Sequence, residues 1–353
     1  MNVNAYGTPA ADQPLAPFAF TRREPRPDDV VVEILYCGVC HTDLHQSRND
    51  WGVAMYPMVP GHEIIGRVSA VGSAVTRFRT GDSVGVGCMV DSCQECASCA
   101  RGLEQYCEKG STLTYNSLDR RDGLPTFGGY SQRIVVNEKF LLSIPDGLDL
   151  AGAAPLLCAG ITSWSPLRHW NVGHGSKVGV IGLGGLGHMA LKLANALGAD
   201  VTLFTRSPGK EADARRLGAH RIVLSSDKSQ MGAAAGTLDL IIDTVPYAHD
   251  LNPYLPTLAL DGALVMVGYL GPLEPPLNST RLLRGRKAVS ASAIGGIAET
   301  QELLDFCGEN NIVSDIETIR IQDINAAYER MLRSDVKYRF VIDLASLGTP
   351  GLP

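Results

Sequence analysis

Basic charge is in short supply in this chain of 353 residues: 31 Lys and Arg stand against 37 Asp and Glu, for a formal net charge of −6. Affinity for a phosphate backbone comes from clustered cations, so nucleic acid is excluded as a main partner. No stretch reads as a spanning helix of ~18 apolar residues, and Met1 to Pro17 hold no basic segment followed by an apolar one. No membrane partner is expected, and a cytoplasmic location follows by default. Internal repeats and low-complexity segments are also missing. A hydrophobic content of 45% with 19% charged residues excludes wholesale disorder. The length exceeds what one core usually serves, so two domains are expected.

Cysteine, by contrast, is plentiful. Nine cysteines in a chain without an export signal read as metal ligands and free thiols sooner than as disulfides. Cys93, Cys96, Cys99 and Cys107 crowd together within a lobe at 88–110. Four thiolates so placed suit closed, tetrahedral zinc, which crosslinks a loop too polar to fold by its own packing. With no open position left, such a metal is structural. A disulfide pair is disfavoured by the compartment, and an iron–sulfur cluster by the spacing.

The texture of the chain divides it. From Val30 to about Asp149, short apolar runs alternate with glycine: Val30 to Leu35, Ile64 to Val71, Ser83 to Val86 and Ser131 to Val136. This spacing predicts a β-rich, barrel-like domain. Beyond Leu150, strands at Lys177–Ile181, Val201–Thr205, Arg221–Leu224, Leu238–Asp243, Ala263–Gly268 and Ala288–Ala293 alternate with helical stretches such as Gly185–Leu197 and Lys210–Leu217. That pattern predicts a doubly wound parallel sheet covered on both faces. Amphipathic helices at Ala298–Asn310 and Ile324–Ser334, then a strand at Tyr338–Asp343, are assigned back to the first domain. The expected division is 1–151 with 294–353, and 152–293 for the inserted α/β domain. The tail from Ser346, rich in glycine and proline, is expected to fray.

In the α/β domain, Gly182-Leu183-Gly184-Gly185-Leu186-Gly187 fits the Gly-x-Gly-x-x-Gly fingerprint between a strand and a helix. Gly182 permits the tight turn, Gly184 lets backbone approach a pyrophosphate, and Gly187 lets helix and strand pack closely. Unpaired N–H groups at the helix start favour the phosphates. At the end of the second strand, where a carboxylate would select an unphosphorylated ribose, stand Thr205, Arg206 and Ser207, with Lys210 nearby. A guanidinium grips a 2′-phosphate well, so NADP(H) is favoured over NAD(H), a solvated surface arginine being the plainer alternative.

The densest chemistry lies at Cys40-His41-Thr42-Asp43-Leu44-His45, with Gly61-His62-Glu63 beyond it and Cys158 further on. Cys40, His62 and Cys158 would give a catalytic zinc two thiolates and one imidazole, leaving an open position. Singly, each has a plain explanation, a buried thiol or a satisfied core histidine. Glu63 could serve as a fourth ligand when the outer position empties, and Asp43 could accept the other ring N–H of His62.

These residues, with Tyr56-Pro57-Met58-Val59-Pro60, Gly128-Gly129-Tyr130, Leu157-Cys158-Ala159-Gly160-Ile161-Thr162, Asp243-Thr244-Val245-Pro246 and Tyr338-Arg339-Phe340-Val341, carry a nearly full-length likeness. The sequence resembles the zinc-dependent medium-chain alcohol dehydrogenases, in the branch of cinnamyl alcohol dehydrogenases and their bacterial relatives. That ligand set is the one known for the catalytic zinc of alcohol dehydrogenase. The resemblance implies a GroES-like barrel domain, a Rossmann cofactor domain, two zinc ions per chain, NADP(H) and a homodimer. It implies reversible oxidation of primary alcohols and reduction of aldehydes. Thr42 and His45 resemble the start and end of a proton relay. Thr162 resembles the residue supporting the nicotinamide, Thr244, Gly268, Ser292, Ala293 and Ile294 resemble other cofactor-lining positions, and Arg339 resembles an arginine near the pyrophosphate.

Departures bear on substrate. Leu113, before Thr114-Tyr115-Asn116, stands where plant members carry a bulky tryptophan, and Trp51 and Trp164 lie where smaller or different residues are common. An apolar pocket for aromatic or medium-chain aliphatic aldehydes is expected. A polyol or amino-alcohol dehydrogenase, or a non-catalytic zinc-stabilised module, are the alternatives.

Overall fold

The apolar run at 30–35 lies inside the strand Asp29–Gly38, of which only Glu33 is exposed. Burial on both faces makes it the centre of a sheet rather than an edge. A computed structural model describes residues 1–269 and 271–348, and the chain divides into two compact units: Met1–Cys158 with Gly295–Pro353, and Ala159–Ile294.

In the first unit, Asp29–Gly38 pairs antiparallel with Ile64–Val71, Arg133–Asn137 and Arg339–Asp343. The sheet continues through Ser83–Val86 to Leu142–Ser143 on one side, and through Arg339–Asp343 to Ile316–Arg320 on the other. Two register shifts in the central pairing, between Val31 and Val32 and between Ile34 and Tyr36, bend the ladder. Its core gathers Val30, Val32, Ile64, Val84, Tyr130 and Phe340. The amino-terminal hairpin of Asn2–Gly7 and Ala16–Thr21 was not foreseen; both strands are short and the second is largely exposed, so they carry no marked apolar run.

The second unit is a six-stranded, all-parallel sheet ordered Arg221–Leu224, Asp200–Thr205, Lys177–Ile181, Leu238–Asp243, Leu258–Met266, Ala288–Ala291. The chain winds outward from Lys177–Ile181 in one direction, then returns beside it and winds the other way. Ligands of such sheets bind where that order reverses, at the carboxyl ends of the two central strands. The expected helical cover is thinner than the alternation suggested. Among the described residues, only a 3₁₀ turn, Leu255–Thr257, forms between Leu238–Asp243 and Leu258–Met266, and only the helix Ser279–Leu283 between Leu258–Met266 and Ala288–Ala291.

Among the described residues no single helix is long and apolar enough to cross a membrane. The expected fraying of the tail is not what its first part does. Leu344–Leu347 forms a 3₁₀ turn, and Ser346 Oγ accepts a hydrogen bond from the Ile321 amide at 2.9 Å; residues 349–353 lie outside the described residues.

Phe340 is 1% exposed and sits under the Arg330 guanidinium at 4.8 Å. Phe340→Ala leaves a cavity beside the central strand, and urea unfolding should show a loss of about 3–5 kcal/mol.

Candidate metal and cofactor sites

The strand Asp29–Gly38 runs straight into the helix His41–Ser47, for which Cys40 is the N-cap. Asp43 closes a capping box by accepting the Cys40 amide at 3.0 Å. The same carboxylate accepts the Gly61 amide at 3.0 Å, His62 Nδ1 at 3.0 Å and the Tyr130 hydroxyl at 3.2 Å. Asp43 is fully buried, and a bare carboxylate there would be costly; four donors offset that cost. A carboxylate only accepts here, so Nδ1 of His62 carries a proton, and in the neutral ring the lone pair is left on Nε2.

Ligand atoms of Cys40, His62, Glu63 and Cys158 all lie within 4.8 Å of one another, and all four residues are buried. The two sulfurs are 4.0 Å apart, far beyond the ~2.05 Å of a disulfide. Across a tetrahedral zinc with bonds of about 2.3 Å, sulfurs stand about 3.8 Å apart. The hydrogen bond between the two sulfurs, with His62 and Arg339 adding to it, holds the Cys40 thiol well below its usual range. Glu63 is divided between two tasks. Its Oε1 pairs with the guanidinium of Arg339, while Oε2 is buried without a partner. Burial pushes the Glu63 carboxyl up to about 7, against the opposing pull of Arg339. An orphaned carboxylate oxygen beside two thiols and an imidazole fits a cation. Gly38 makes room for it, because a Cβ there would overlap the Glu63 carboxylate.

A second cluster lies in the lobe closed by the short strands Met89–Asp91 and Thr112–Leu113. Backbone amides point at its sulfurs: Cys93 to Cys107 at 3.4 Å, Cys96 to Cys93 at 3.4 Å, and both Cys99 and Glu108 to Cys96 at 3.5 Å. Donation from the Cys99 and Glu108 amides brings the Cys96 thiol down to about 6. Cys93 and Cys99 sulfurs are 3.8 Å apart, again a metal-spanning separation. Four thiols complete a tetrahedral set among themselves, so this donor group suits a closed site.

In the second unit the loop Gly182–Gly187 sits at the order reversal. Gly182 takes a φ of +91°, where other residues are strained, and a Cβ on Gly187 would strike the Gly182 carbonyl. Around Gly184 the space is open. Thr244, one residue past the neighbouring strand, closes the loop, its Oγ1 donating to the Ile181 carbonyl at 2.7 Å. Lys210 Nζ donates to the Leu183 carbonyl at 2.9 Å, and Ser163 Oγ to that of Leu186 at 3.2 Å, next to the buried Thr162. His188 Nδ1 donates to the Gly185 carbonyl at 2.8 Å. Thr205 Oγ1 accepts the Ser207 amide at 3.1 Å, and Arg206 donates from Nη2 to the Tyr247 hydroxyl at 2.6 Å. A Cβ on Gly268 would meet the Thr244 carbonyl. Just past the last strand, the Ser292 amide donates to the Met266 carbonyl at 3.1 Å and ties that strand's end to its neighbour. Ile294, at φ +38°, ends the unit one residue beyond Ala293.

The alcohol dehydrogenase GroES-like domain matches residues 26–146, and the zinc-binding dehydrogenase domain matches 185–309. An NADP-dependent alcohol dehydrogenase of Mycolicibacterium smegmatis is 55% identical, over 98% of this chain and 99% of its own. An aldehyde reductase of Escherichia coli is 53% identical over the same shares. Among solved structures, a cinnamyl alcohol dehydrogenase from Sorghum bicolor superposes with a TM-score of 0.95 at 45% identity, covering both chains fully. The chain belongs to the zinc-binding alcohol dehydrogenases.

Within this alcohol dehydrogenase the remaining singled-out residues fall in different surroundings. Thr42 and His45 stand one turn apart on the helix His41–Ser47. His45 Nδ1 lies 2.7 Å from Asp50 Oδ2, and the Trp51 ring packs 5.4 Å from the imidazole. Leu113 is 36% exposed on its short strand. Trp164 is 1% exposed, with the Arg168 guanidinium 5.6 Å over its ring. Arg339 is 4% exposed and turned onto Glu63.

Four side chains escaped the sequence reading. Tyr130 was marked only as part of a glycine-rich motif, yet its hydroxyl holds Asp43; Tyr115 stacks on His62 with centroids 5.8 Å apart. Asp50 and Tyr247 sit in loops, where no periodicity announces a partner. The support of His62 by Asp43 yields a direct test. Asp43→Asn should lower affinity for metal at the Cys40 site about 10–100-fold, read by chelator competition, with the four-cysteine lobe unaffected.

Proposed function

We propose that this alcohol dehydrogenase interconverts primary alcohols and aldehydes, aromatic or medium-chain aliphatic, with NADP(H) and two zinc ions per chain. One observation carries the reading: two thiols, one imidazole and one orphaned carboxylate oxygen converge in a buried cluster. Cys40, His62, Cys158 and Glu63 would hold the reactive zinc, and Cys93, Cys96, Cys99 and Cys107 the structural one. When bound, zinc polarises an aldehyde oxygen as a Lewis acid, and the dihydronicotinamide supplies the hydride.

The chain's own residues provide the rest. Asp43 fixes the ring of His62 and so the direction of its lone pair. Arg339 holds Glu63 by one oxygen, leaving the other able to enter or leave a ligand position. The Thr42 hydroxyl hands on a proton, and His45, braced by Asp50 and partly open to solvent, exchanges it with water. Gly182 to Gly187 would take the pyrophosphate, and Arg206 with Thr205, Ser207 and Lys210 the 2′-phosphate. Arg206 suits that task because Tyr247 holds its guanidinium at the end of the second strand, where no carboxylate competes.

The Ala288–Ala291 strand ends its sheet with one side unpaired among the described residues, and Leu260 and Leu283 are 72% and 79% exposed. These features support a homodimer in which two such strands meet. A cytoplasmic enzyme remains our reading of its location.

Cofactor absorbance followed over a panel of aldehydes with NADPH and NADH tests the activity. Benzyl-type and medium-chain aldehydes should be reduced with NADPH, and comparable rates on free sugars or polyols would overturn the substrate class. Arg206→Asp should raise KM for NADPH about 10–100-fold while leaving NADH little changed. Elemental analysis should find two zinc equivalents per chain, falling to one in Cys93→Ser.

A further inference from the structure

A cavity of about 390 Å³ opens in the first unit, and none of the eight cysteine, histidine and glutamate ligands lines it. Its size falls in the range of ~300–1,000 Å³ usual for small-molecule sites. Phe20, Leu124 and Phe127 give it apolar wall, and its charged lining comes from four arginines, Arg22 among them, and four aspartates, Asp29 among them.

Arg22 is only 9% exposed and has no carboxylate partner among the described residues. Its Nε donates to the Arg133 carbonyl at 2.5 Å, and Nη2 to the Gly128 carbonyl and the Ser131 hydroxyl, both at 3.0 Å. Those acceptors are neutral, and Nη1 makes no hydrogen bond among the described residues. The acids nearby are engaged elsewhere: Asp29 and Asp119 pair with Arg23, and Asp119 and Asp122 with Arg26. Burial, with Arg23 adding repulsion, brings the Arg22 guanidinium down to about 9. The guanidinium lies over the Phe20 ring at 4.9 Å, which offsets part of the cost of burying it. No anion pairs with it among the described residues, and a ligand carboxylate would remove the rest of that cost. Asp29 is 1% exposed; its Oδ2 accepts from Arg23 and from the Arg26 amide at 2.7 Å, while Oδ1 is buried without a partner.

We propose that this cavity is a second small-molecule site, for a hydroxylated aromatic monocarboxylate. The carboxylate meets Arg22, the ring lies against Phe20 and Phe127, and the hydroxyl donates to Asp29. None of the eight metal-donor residues takes part in the site.

Isothermal titration of the full-length, zinc-loaded protein tests it, with 4-hydroxybenzoate, benzoate and inorganic phosphate as probes. One saturable site is expected for 4-hydroxybenzoate, several-fold weaker binding for benzoate, and none for phosphate. Arg22→Met should weaken 4-hydroxybenzoate at least tenfold. Leu124→Trp, at a rim position 54% exposed, should do the same by filling the volume; if Arg22→Met fails to fold, this variant decides. No saturable heat up to about 10 mM, affinity unchanged in a folded variant, equal affinity for benzoate, or competition by phosphate would each overturn the assignment.

Discussion

A single buried carboxylate, Asp43, organises the first unit's chemistry. It caps the helix that starts at Cys40, receives the Gly61 amide that precedes His62, fixes the His62 ring and takes the Tyr130 hydroxyl. Charge in a dry interior survives only when its hydrogen-bonding capacity is filled, and here four donors from three separate segments fill it. The requirement runs both ways. Each donor is held in place because the carboxylate has nowhere else to turn, so two ligands distant in sequence arrive at one point.

Glu63 shows the opposite condition. Arg339 satisfies one of its oxygens, and the other stays unsatisfied in a cluster of thiols. A wholly satisfied carboxylate would be structural; a half-satisfied one beside two thiols and an imidazole keeps one oxygen able to meet a cation. The second unit uses backbone where the first uses side chains. Gly182 turns, Gly187 packs, and Thr244 ties the two central strands together at the reversal. The result is a helix start placed to meet phosphate.

Much of this was legible in the chain. Strands at 64–71, 83–86, 177–181, 221–224 and 238–243 fall where apolar runs bounded by glycine placed them, because burial on a sheet leaves a local trace. Elements without that trace went unread: the hairpin at 2–21 has its second strand largely exposed, and Ile316–Arg320 is an edge strand of mixed polarity.

By itself, the sequence determined the chemical inventory: two sets of candidate metal donors, a glycine-rich turn between a strand and a helix, and an arginine with no acid beside it at the end of the next strand. Those features rest on residue type and short-range spacing, which need no fold to be read. Only the tertiary structure decided how Asp43 is satisfied, that Tyr130 and Tyr115 brace the His62 ring and its support, and that Glu63 is shared with Arg339. It alone left Arg22 buried without a counter-ion among the described residues. Hydrogen-bond satisfaction is a property of neighbours brought together across the chain, and linear order carries no record of it.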